Sequence, residues 1–140
     1  MNRRMRTEIL IQSSPLLGEQ MANEITSAYE VIELLAPRQG LTMVKVRETA
    51  KNSLFYMGEI LMTEAMVEID GHVGVGMITG IEEQRARHLA IIDAAYEAHL
   101  PESHSWNVQL MEAEQTLQEN KAREHAQLMK TKVSFDTMNT

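Results

Sequence analysis

The glycine-rich segment from Gly74 to Gly80 is the first candidate for chemistry, because closely spaced glycines before a helix can cradle phosphate groups. Five of the seven glycines lie between positions 58 and 80. Their spacing differs from the G-x-G-x-x-G dinucleotide fingerprint and no βαβ pattern surrounds them. Glu82 and Glu83 would also repel a phosphate at the start of the following helix. We therefore interpret Gly74 and Gly76 as places where a helix or another backbone packs closely against a strand.

The histidines are candidates for metal ligands, but their spacing does not favour a metal site. None has a second histidine four residues away, the spacing that puts two ligands on one helical face. His99 and His104 lie close in sequence to Glu97 and Glu102, yet Pro101 separates the two pairs. We predict no metal-ligating residue. The five histidines are His72, His88, His99, His104 and His125.

Two groups of charged residues lie in the segment that precedes Pro101. Arg85, Arg87 and His88 could form a small basic face on a helix, for which a solvated or partner-facing role is favoured over contact with a substrate. Asp93 lies among alanines and isoleucines, where burial would demand a partner for its carboxylate. We expect its side chain to lie at the polar edge of the helix or to bond a neighbouring backbone group.

Nucleophilic catalysis finds no support in the sequence. The chain has no cysteine, which removes disulfides, thiolate zinc sites, iron–sulfur ligation and cysteine nucleophiles. The serines show no nucleophile-elbow context and no Ser/His/Asp arrangement can be assembled. The sequence therefore predicts no catalytic and no cofactor-binding residue.

Composition and charge restrict the class of protein further. The 140 residues carry a net charge of −7, which argues against sequence-independent nucleic-acid binding. The apolar stretch Ile9–Ile11 is too short for a signal peptide or a membrane span, so a cytoplasmic location is expected. Residues 52–84 contain no Lys or Arg and six acids, namely Glu59, Glu64, Glu68, Asp70, Glu82 and Glu83.

The methionine content is high, with eleven methionines against six aromatic residues. Methionine fills irregular gaps in cores and also suits partner surfaces. For the methionines of the strand-rich segment we favour a core position first and an interface position second. These are Met57, Met62, Met66 and Met77.

Periodicity predicts two short helices followed by strands. The helices cover Arg6–Gln12 and a segment that begins near Ser14 with Pro15 in its first turn. A one-residue phase shift of the apolar positions predicts a turn or bulge near Thr63. Asp70-Gly71 indicates a hairpin, for which we predict a three-residue loop over Asp70–His72. The predicted strands are Tyr29–Leu35, stopped by Pro37 and Gly40, then Thr42–Arg47, Ser53–Met62, Thr63–Ile69 and His72–Thr79.

Two longer helices are expected to complete the chain. Thr79 and Glu82 stand at capping-box spacing, so the first should begin at Ile81, and Pro101 should end it near His99 or Leu100. The second should run from about Ser105 to Lys132, and its polar interruptions predict a position on the surface or against another subunit. The fold class is α+β, a single domain with an antiparallel sheet of four to five strands. Its segments are 1–28 (helical), 29–80 (sheet), 81–132 (helices) and 133–140 (tail).

The order of residues through the sheet and the first long helix resembles the PhnG family, the G subunits of the bacterial carbon–phosphorus lyase system. The likeness starts near Tyr29-Glu-Val-Ile and resumes at the tail Val133-Ser-Phe-Asp-Thr-Met138, whereas the residues before Ser27 match only in helical character. Between these ends it rests on Gly58, Thr63, Val67, Asp70, Gly71, Gly74, Gly80, Ala86, Ala90 and Ile92-Asp93-Ala94.

The resemblance implies a subunit of a cytoplasmic assembly with the H, I and J components in bacteria that use phosphonates. The first reaction of that system joins methylphosphonate to MgATP, displaces adenine from the ribose C1′ and gives α-D-ribose 1-methylphosphonate 5-triphosphate. A later component cleaves the carbon–phosphorus bond. The I subunit is thought to carry the nucleosidase-like chemistry, and the G subunit has no established catalytic residues. No site residue is therefore carried over, and MgATP is expected as a substrate of the complex rather than a cofactor of this subunit.

The residues themselves predict a division of labour within such a complex. Both substrates are polyanions, and the acidic segment 52–84 offers no cation to bind them. We expect this chain to support a catalytic partner, and if any side chain reaches the substrate, Arg85, Arg87 and His88 are the best candidates. The alternatives are a free-standing small-molecule-binding α+β domain and a free-standing enzyme, which would need convergent titratable groups.

Overall fold

A computed structural model of the chain describes residues 2–47 and 54–138, with side chains described for 2–43 and 58–132. Its fold is α+β, as predicted. Within the described residues the elements are α1 (Arg3–Gln12), α2 (Pro15–Ala28), β1 (Ile32–Arg47), β2 (Leu54–Ile69), β3 (His72–Thr79), α3 (Glu83–Glu97) and α4 (Pro101–Met138). The three strands form one antiparallel sheet in the order β1-β2-β3.

Side-chain caps fix the starts of the two N-terminal helices. The Asn2 carboxamide accepts a hydrogen bond of 2.8 Å from the Met5 N–H, so α1 begins three residues before the predicted start at Arg6. The Ser14 hydroxyl accepts from the Leu16 N–H, and Pro15 occupies the first turn of α2, as predicted. Proline is tolerated there because its missing N–H would have no partner within the helix.

The first strand is continuous, whereas two strands separated by Pro37 and Gly40 were predicted. β1 passes through both residues, with a pairing irregularity between Leu35 and Arg38 that gives β1 one extra residue against β2. β1 lies at an edge of the sheet, where a proline removes no necessary ladder hydrogen bond. The prediction of four to five strands was wrong for this reason and for the one that follows.

The second strand is also continuous, so the turn or bulge predicted near Thr63 is not in β2. Thr63 pairs regularly with both neighbouring strands, and the bulge nearest to it lies in β1. The apolar phase shift instead arises because this continuous strand carries apolar residues on both of its faces. Thr63, Ala65, Val67 and Ile69 face the helices, and Met62 faces the other side of the sheet. Ser53, the predicted start of this strand, lies outside the described residues.

The hairpin between β2 and β3 has a two-residue turn rather than the predicted three-residue loop. Ile69 pairs with His72, which leaves Asp70 and Gly71 as the turn. Both have positive φ, 51° and 81°, as a type I′ turn requires. Asp-Gly is a favoured sequence for this turn. The two-residue connection therefore forms in place of the three-residue loop, which would have paired Val67 with Val75.

This register decides which residues of β3 face the helices. Val67 pairs with Gly74 instead of Val75. Since paired residues share a face of the sheet, Gly74 and Gly76 face inward and are buried, while Val73 faces outward and is exposed.

Helix α3 packs directly on the backbone of β3 at the two inward-facing glycines. A Cβ added at Gly74 would lie 2.2 Å from the carbonyl oxygen of Ala90 and 2.3 Å from the amide nitrogen of Ala94. One added at Gly76 would lie 2.1 Å from the carbonyl oxygen of Ala86. The prediction that these glycines mark a close approach of a helix to a strand is confirmed.

The start of α3 differs from the predicted capping box. The helix begins at Glu83 rather than Ile81, and its N-cap, Glu82, makes no side-chain cap hydrogen bond. Thr79 pairs with Met62 on the outward face of the sheet, so its hydroxyl cannot serve the helix. The buried Thr63 hydroxyl instead accepts from the Glu82 N–H at 3.2 Å and donates to the Gly80 carbonyl at 2.6 Å.

The described core lies between the sheet and the four helices, all on one side of the sheet. The largest fully buried side chains include Trp106 and Leu110 of α4, Met21 and Ile25 of α2, and Ile92 of α3. The opposite face of the sheet carries no packed element among the described residues. We call it the outer face, and it comprises Ile32, Leu35, Arg38, Ile60, Met62, Glu64, Met66, Glu68, Val73, Val75, Met77 and Thr79.

The methionines predicted for the core lie on this outer face instead. Met62 and Met66 are half-buried and Met77 is exposed. The core prediction is therefore wrong for all three, because the face that they occupy has no covering layer. The side chain of Met57 lies outside the described residues.

Helix α4 is 38 residues long, and only its first half packs on the body. It begins at Pro101 and ends at Met138, beyond the predicted limits of Ser105 and Lys132. Every described residue from Gln118 to Lys132 is exposed. None of the described helices is both long and apolar enough to cross a bilayer.

Substitution of the two inward-facing glycines should test the contact between α3 and β3. Gly74→Ala and Gly76→Ala should each lower the free energy of unfolding by about 3 kcal/mol, because the added methyl group meets backbone atoms that cannot move aside cheaply. Gly40→Ala is the matched control, since nothing lies within 4 Å of a Cβ at that position. Urea unfolding measures the difference, and a Gly74→Ala protein as stable as wild type would contradict the contact.

Candidate functional site

The buried charge of the described structure is centred on Asp93. Its side chain is only 5% exposed and accepts three hydrogen bonds, from the guanidinium groups of Arg3 (2.5 Å) and Arg6 (3.1 Å) and from the Val75 N–H (2.9 Å). These bonds connect α3 to α1 and to β3. The expected bond to a neighbouring backbone is confirmed, whereas a position at the polar edge of the helix is not.

Arg6 is held on a second side by an aromatic ring. Its guanidinium carbon lies 3.9 Å from the centre of the Tyr96 ring, a favourable cation–π geometry. Tyr96 in turn packs at a tilt on Trp106, with 5.8 Å between ring centres. Burial raises the pKa of Tyr96, while Arg6 lowers it to a smaller extent.

Sequence reasoning did not identify Arg3 and Arg6 as partners of Asp93. One signal was present, because Arg6 shares the helical spacing of the buried Ile9 and Leu10, so a cation at that position must face the interior. The partner itself lies 87 residues further along the chain. No local pattern could pair them.

The basic face predicted on α3 is directed at the protein's own atoms. Arg85 donates to the backbone carbonyls of Leu10 (3.0 Å) and Ile11 (2.8 Å), near the C-terminal end of α1, where the free carbonyls carry partial negative charge. Arg87 forms an ion pair of 2.8 Å with Glu33. The two cations therefore stabilise the fold where they lie, and this arrangement weighs against contact with a substrate.

His88 is partly buried between α3 and α2. Burial lowers its pKa from the ordinary value of 6.5, Arg87 adds to this effect and Glu19 opposes it. The neutral imidazole is therefore the favoured form in the folded protein at neutral pH. A neutral imidazole is a poor ligand for a polyanion, which agrees with the role found for the two arginines.

The other histidines do not converge. Within the described residues no group of three or more His, Asp or Glu side chains is placed to hold a metal ion. His72 lies beside the β2–β3 turn with its ring 3.0 Å from the Asp70 carbonyl, His99 takes a positive φ after α3, and His104 and His125 are exposed on α4.

A surface hollow of about 400 Å³ lies between the start of β1 and the β2–β3 turn. Its lining includes the exposed acids Glu30 and Asp70. Tyr29 also lines it, and the Tyr29 hydroxyl donates to the Glu102 carboxylate at 2.9 Å. This bond is the main cause that raises the pKa of Tyr29. An acidic, solvent-open hollow suits neither ATP nor a phosphonate.

The fold is thus a small α+β protein with helices on one face of a three-stranded sheet, in which Arg85, Arg87 and Asp93 contact other parts of the chain. Over residues 1–139 the chain matches the family described as phosphonate metabolism protein PhnG. It is also similar to the α-D-ribose 1-methylphosphonate 5-triphosphate synthase subunit PhnG of Rhizobium meliloti (strain 1021), with 29% identity over 133 residues, 88% of this chain and 83% of the relative. The chain belongs to the PhnG family, which confirms the resemblance seen in the residue order.

Removal of the Asp93 charge should destabilise the protein strongly. Asp93→Asn leaves the buried Arg6 guanidinium without its counter-ion, so we expect the free energy of unfolding to fall by about 3 kcal/mol. Arg3→Ala is the control, because the Arg3 side chain is 57% exposed and solvent screens its ion pair, which should limit the loss to about 1 kcal/mol. Equal losses for the two variants would contradict the central position of Asp93.

The partly buried His88 should make stability depend on pH. Because its pKa is lower in the folded state, the unfolded chain takes up the proton first as the pH falls below about 6.5, and stability decreases from there towards the folded pKa. NMR titration of the imidazole should give a midpoint below that of an unstructured histidine. His88→Gln should show a shallower loss of stability between about pH 7 and about pH 5, and identical slopes would contradict this role.

Proposed function

We propose that this protein is a subunit of the α-D-ribose 1-methylphosphonate 5-triphosphate synthase of phosphonate-using bacteria and that it supports a catalytic partner. The single observation that carries the proposal is the family match over residues 1–139. The name of the Rhizobium meliloti relative, a subunit of that synthase, supports the same reaction.

The partners in this proposal are the H, I and J components of the carbon–phosphorus lyase system, in the cytoplasm. The complex would transfer methylphosphonate to the ribose C1′ of MgATP and release adenine. MgATP and methylphosphonate are then substrates of the complex, and this subunit alone holds no cofactor.

The distribution of charge favours a role in which this subunit stabilises a catalytic partner over one in which it binds the substrates. A site for ATP and a phosphonate needs Arg, Lys, Mg²⁺ or free backbone N–H groups to meet the negative charge. Five described arginines of the folded body contact other groups of the protein, with Arg3 and Arg6 on Asp93, Arg38 on Glu64, Arg85 on two carbonyls and Arg87 on Glu33. β2 and β3 contribute acids to the sheet and no Lys or Arg.

The free half of α4 supports membership of an assembly. The segment Gln118–Met138 extends about 30 Å beyond Leu117 at 1.5 Å per residue. An isolated helical segment of this length is only marginally stable in water unless a partner covers one of its faces. Leu128 and Met129 are exposed on it and offer such a partner apolar contacts.

A free-standing small-molecule binder is less well supported. Such a protein generally encloses its ligand in an apolar cavity with a few polar groups. The hollow beside Glu30 and Asp70 is open to solvent, and those two exposed acids form part of its lining.

Co-expression with the H, I and J components should test the proposal. We expect this chain to copurify with them in a defined ratio, and a reconstituted complex that lacks it should release adenine from MgATP and methylphosphonate much more slowly. A consistent failure to copurify would overturn the assignment to the synthase.

Two further measurements separate support from substrate binding. Calorimetry of the isolated subunit should show no tight binding of MgATP or methylphosphonate, and tight binding would contradict the division of labour. Arg87→Ala in the assembled complex should keep adenine release within about twofold of wild type, because its partner is Glu33. A large loss of rate with intact assembly would show that Arg87 reaches the substrate.

A further inference from the structure

The outer face of the sheet is apolar and open along its length. Ile32 is 48% exposed, Val73 42% and Met77 40%, and they lie on the two outer strands, β1 and β3. Met62, Met66 and Val75 are half-buried among them. Contiguous apolar surface of this kind on a small protein marks a contact site.

Two carboxylates stand on the central strand of this face and restrict what can cover it. Glu64 forms an ion pair of 2.8 Å with Arg38 of β1. Glu68 lies between Ile32 and Val73, and the ion pairs of the described residues do not include it. A layer that buried Glu68 without a cation would incur a large desolvation penalty. The occupant must therefore place a Lys or Arg opposite Glu68.

The same argument disfavours a second copy placed on this face by a two-fold axis. Such a dimer presents the same patch from both chains, so it would enclose four carboxylates, from Glu64 and Glu68 of each copy, with only the two Arg38 guanidinium groups, which already pair with Glu64. Like charges that are brought together in an interface cost several kcal/mol. A partner of different sequence and opposite charge meets no such penalty.

The sheet also extends beyond its covered part. β3 pairs with β2 only as far as Met62, so residues 40–47 and 54–61 form a two-stranded arm. Leu41 is 65% exposed and Met43 57%, and Ile60 and Leu61 are exposed on the adjoining strand. A two-stranded ribbon is marginally stable alone in water. Ile60 continues the outer face along this arm, whereas Leu41, Met43 and Leu61 are in phase with Thr63 and lie on the opposite side of the ribbon.

We propose that the outer face, including its continuation along the arm at Ile60, docks a basic and apolar surface of another subunit of the synthase, with a partner cation opposite Glu68. The inference rests on the proposed function, because it takes the partner from the same assembly. It goes beyond that proposal by naming the docking surface, the positive charge of the partner's surface and Glu68 as the residue that requires this charge.

Charge reversal at Glu68 tests the proposal, with affinity measured against the preassembled remaining subunits. Glu68→Lys should weaken binding by at least about tenfold, since two cations would then face each other. Glu112→Lys is the matched control on the exposed surface of α4 and should change affinity by no more than about twofold. Met77→Glu should also weaken binding by at least about tenfold, and its control is Met111→Glu, at a residue that is 62% exposed on α4.

Thermal unfolding of each variant should stay close to that of wild type, because all four side chains project away from the core. If wild type binds and the two outer-face variants bind equally well, the inference is wrong and the proposed function stands. Equal losses in the α4 controls would also overturn the inference. If wild type does not bind, the proposed function itself fails. If isolated wild type forms a dimer that Glu68→Lys dissociates, the occupant is a second copy, and the partner stated here is wrong.

Discussion

The close contact of α3 with the backbone of β3 is the constraint on which most of the fold depends. Two glycines in β3 and three alanines in α3 remove the side chains that would otherwise separate helix and strand. At that distance Asp93 reaches the Val75 N–H, and the same carboxylate binds Arg3 and Arg6 of α1. Arg85, next to Ala86 of this contact, bonds the carbonyls at the end of α1. The position of α1 therefore depends on the contact between α3 and β3, although α1 takes no part in that contact.

The parts of the fold that could be predicted are those set by local chemistry. Gly74 and Gly76 indicated a close approach, Ser14-Pro15 a helix start and Asp70-Gly71 a hairpin, because each depends on a few neighbouring backbone angles. The register across that hairpin was not predictable in the same way. Pairing valine with valine is attractive for two strands taken alone, and only the helix above them makes glycine the better inward residue. The role of Thr63 at the start of α3 was missed for the same reason, since its partner lies across the sheet.

For the candidate site, sequence reasoning identified the charged residues but not what they contact. Arg87 was assigned to a basic face and Asp93 was recognised as unusual, while their partners Glu33, Arg3 and Arg6 lie far away in the chain. An ion pair over such a separation depends on tertiary structure, so charge patterning could indicate only that partners were needed. The family, by contrast, could be recognised early, because the order of glycines, Thr63 and the Asp93 segment reflects these same structural constraints.

The register that brings the glycines inward also turns the larger residues of β3 outward. Val73, Val75 and Met77 would form a core in a sheet covered on both sides, yet here they lie on a face with no described covering element. Tight packing of α3 and an apolar outer face are therefore two results of one choice of register. A monomer gains nothing in solubility from such a face, whereas a subunit gains a docking surface at no further cost to its core. The methionine surplus and the acids of β2 then have one explanation, because adaptable side chains provide contact area and Glu68 requires a partner with a cation in the right place.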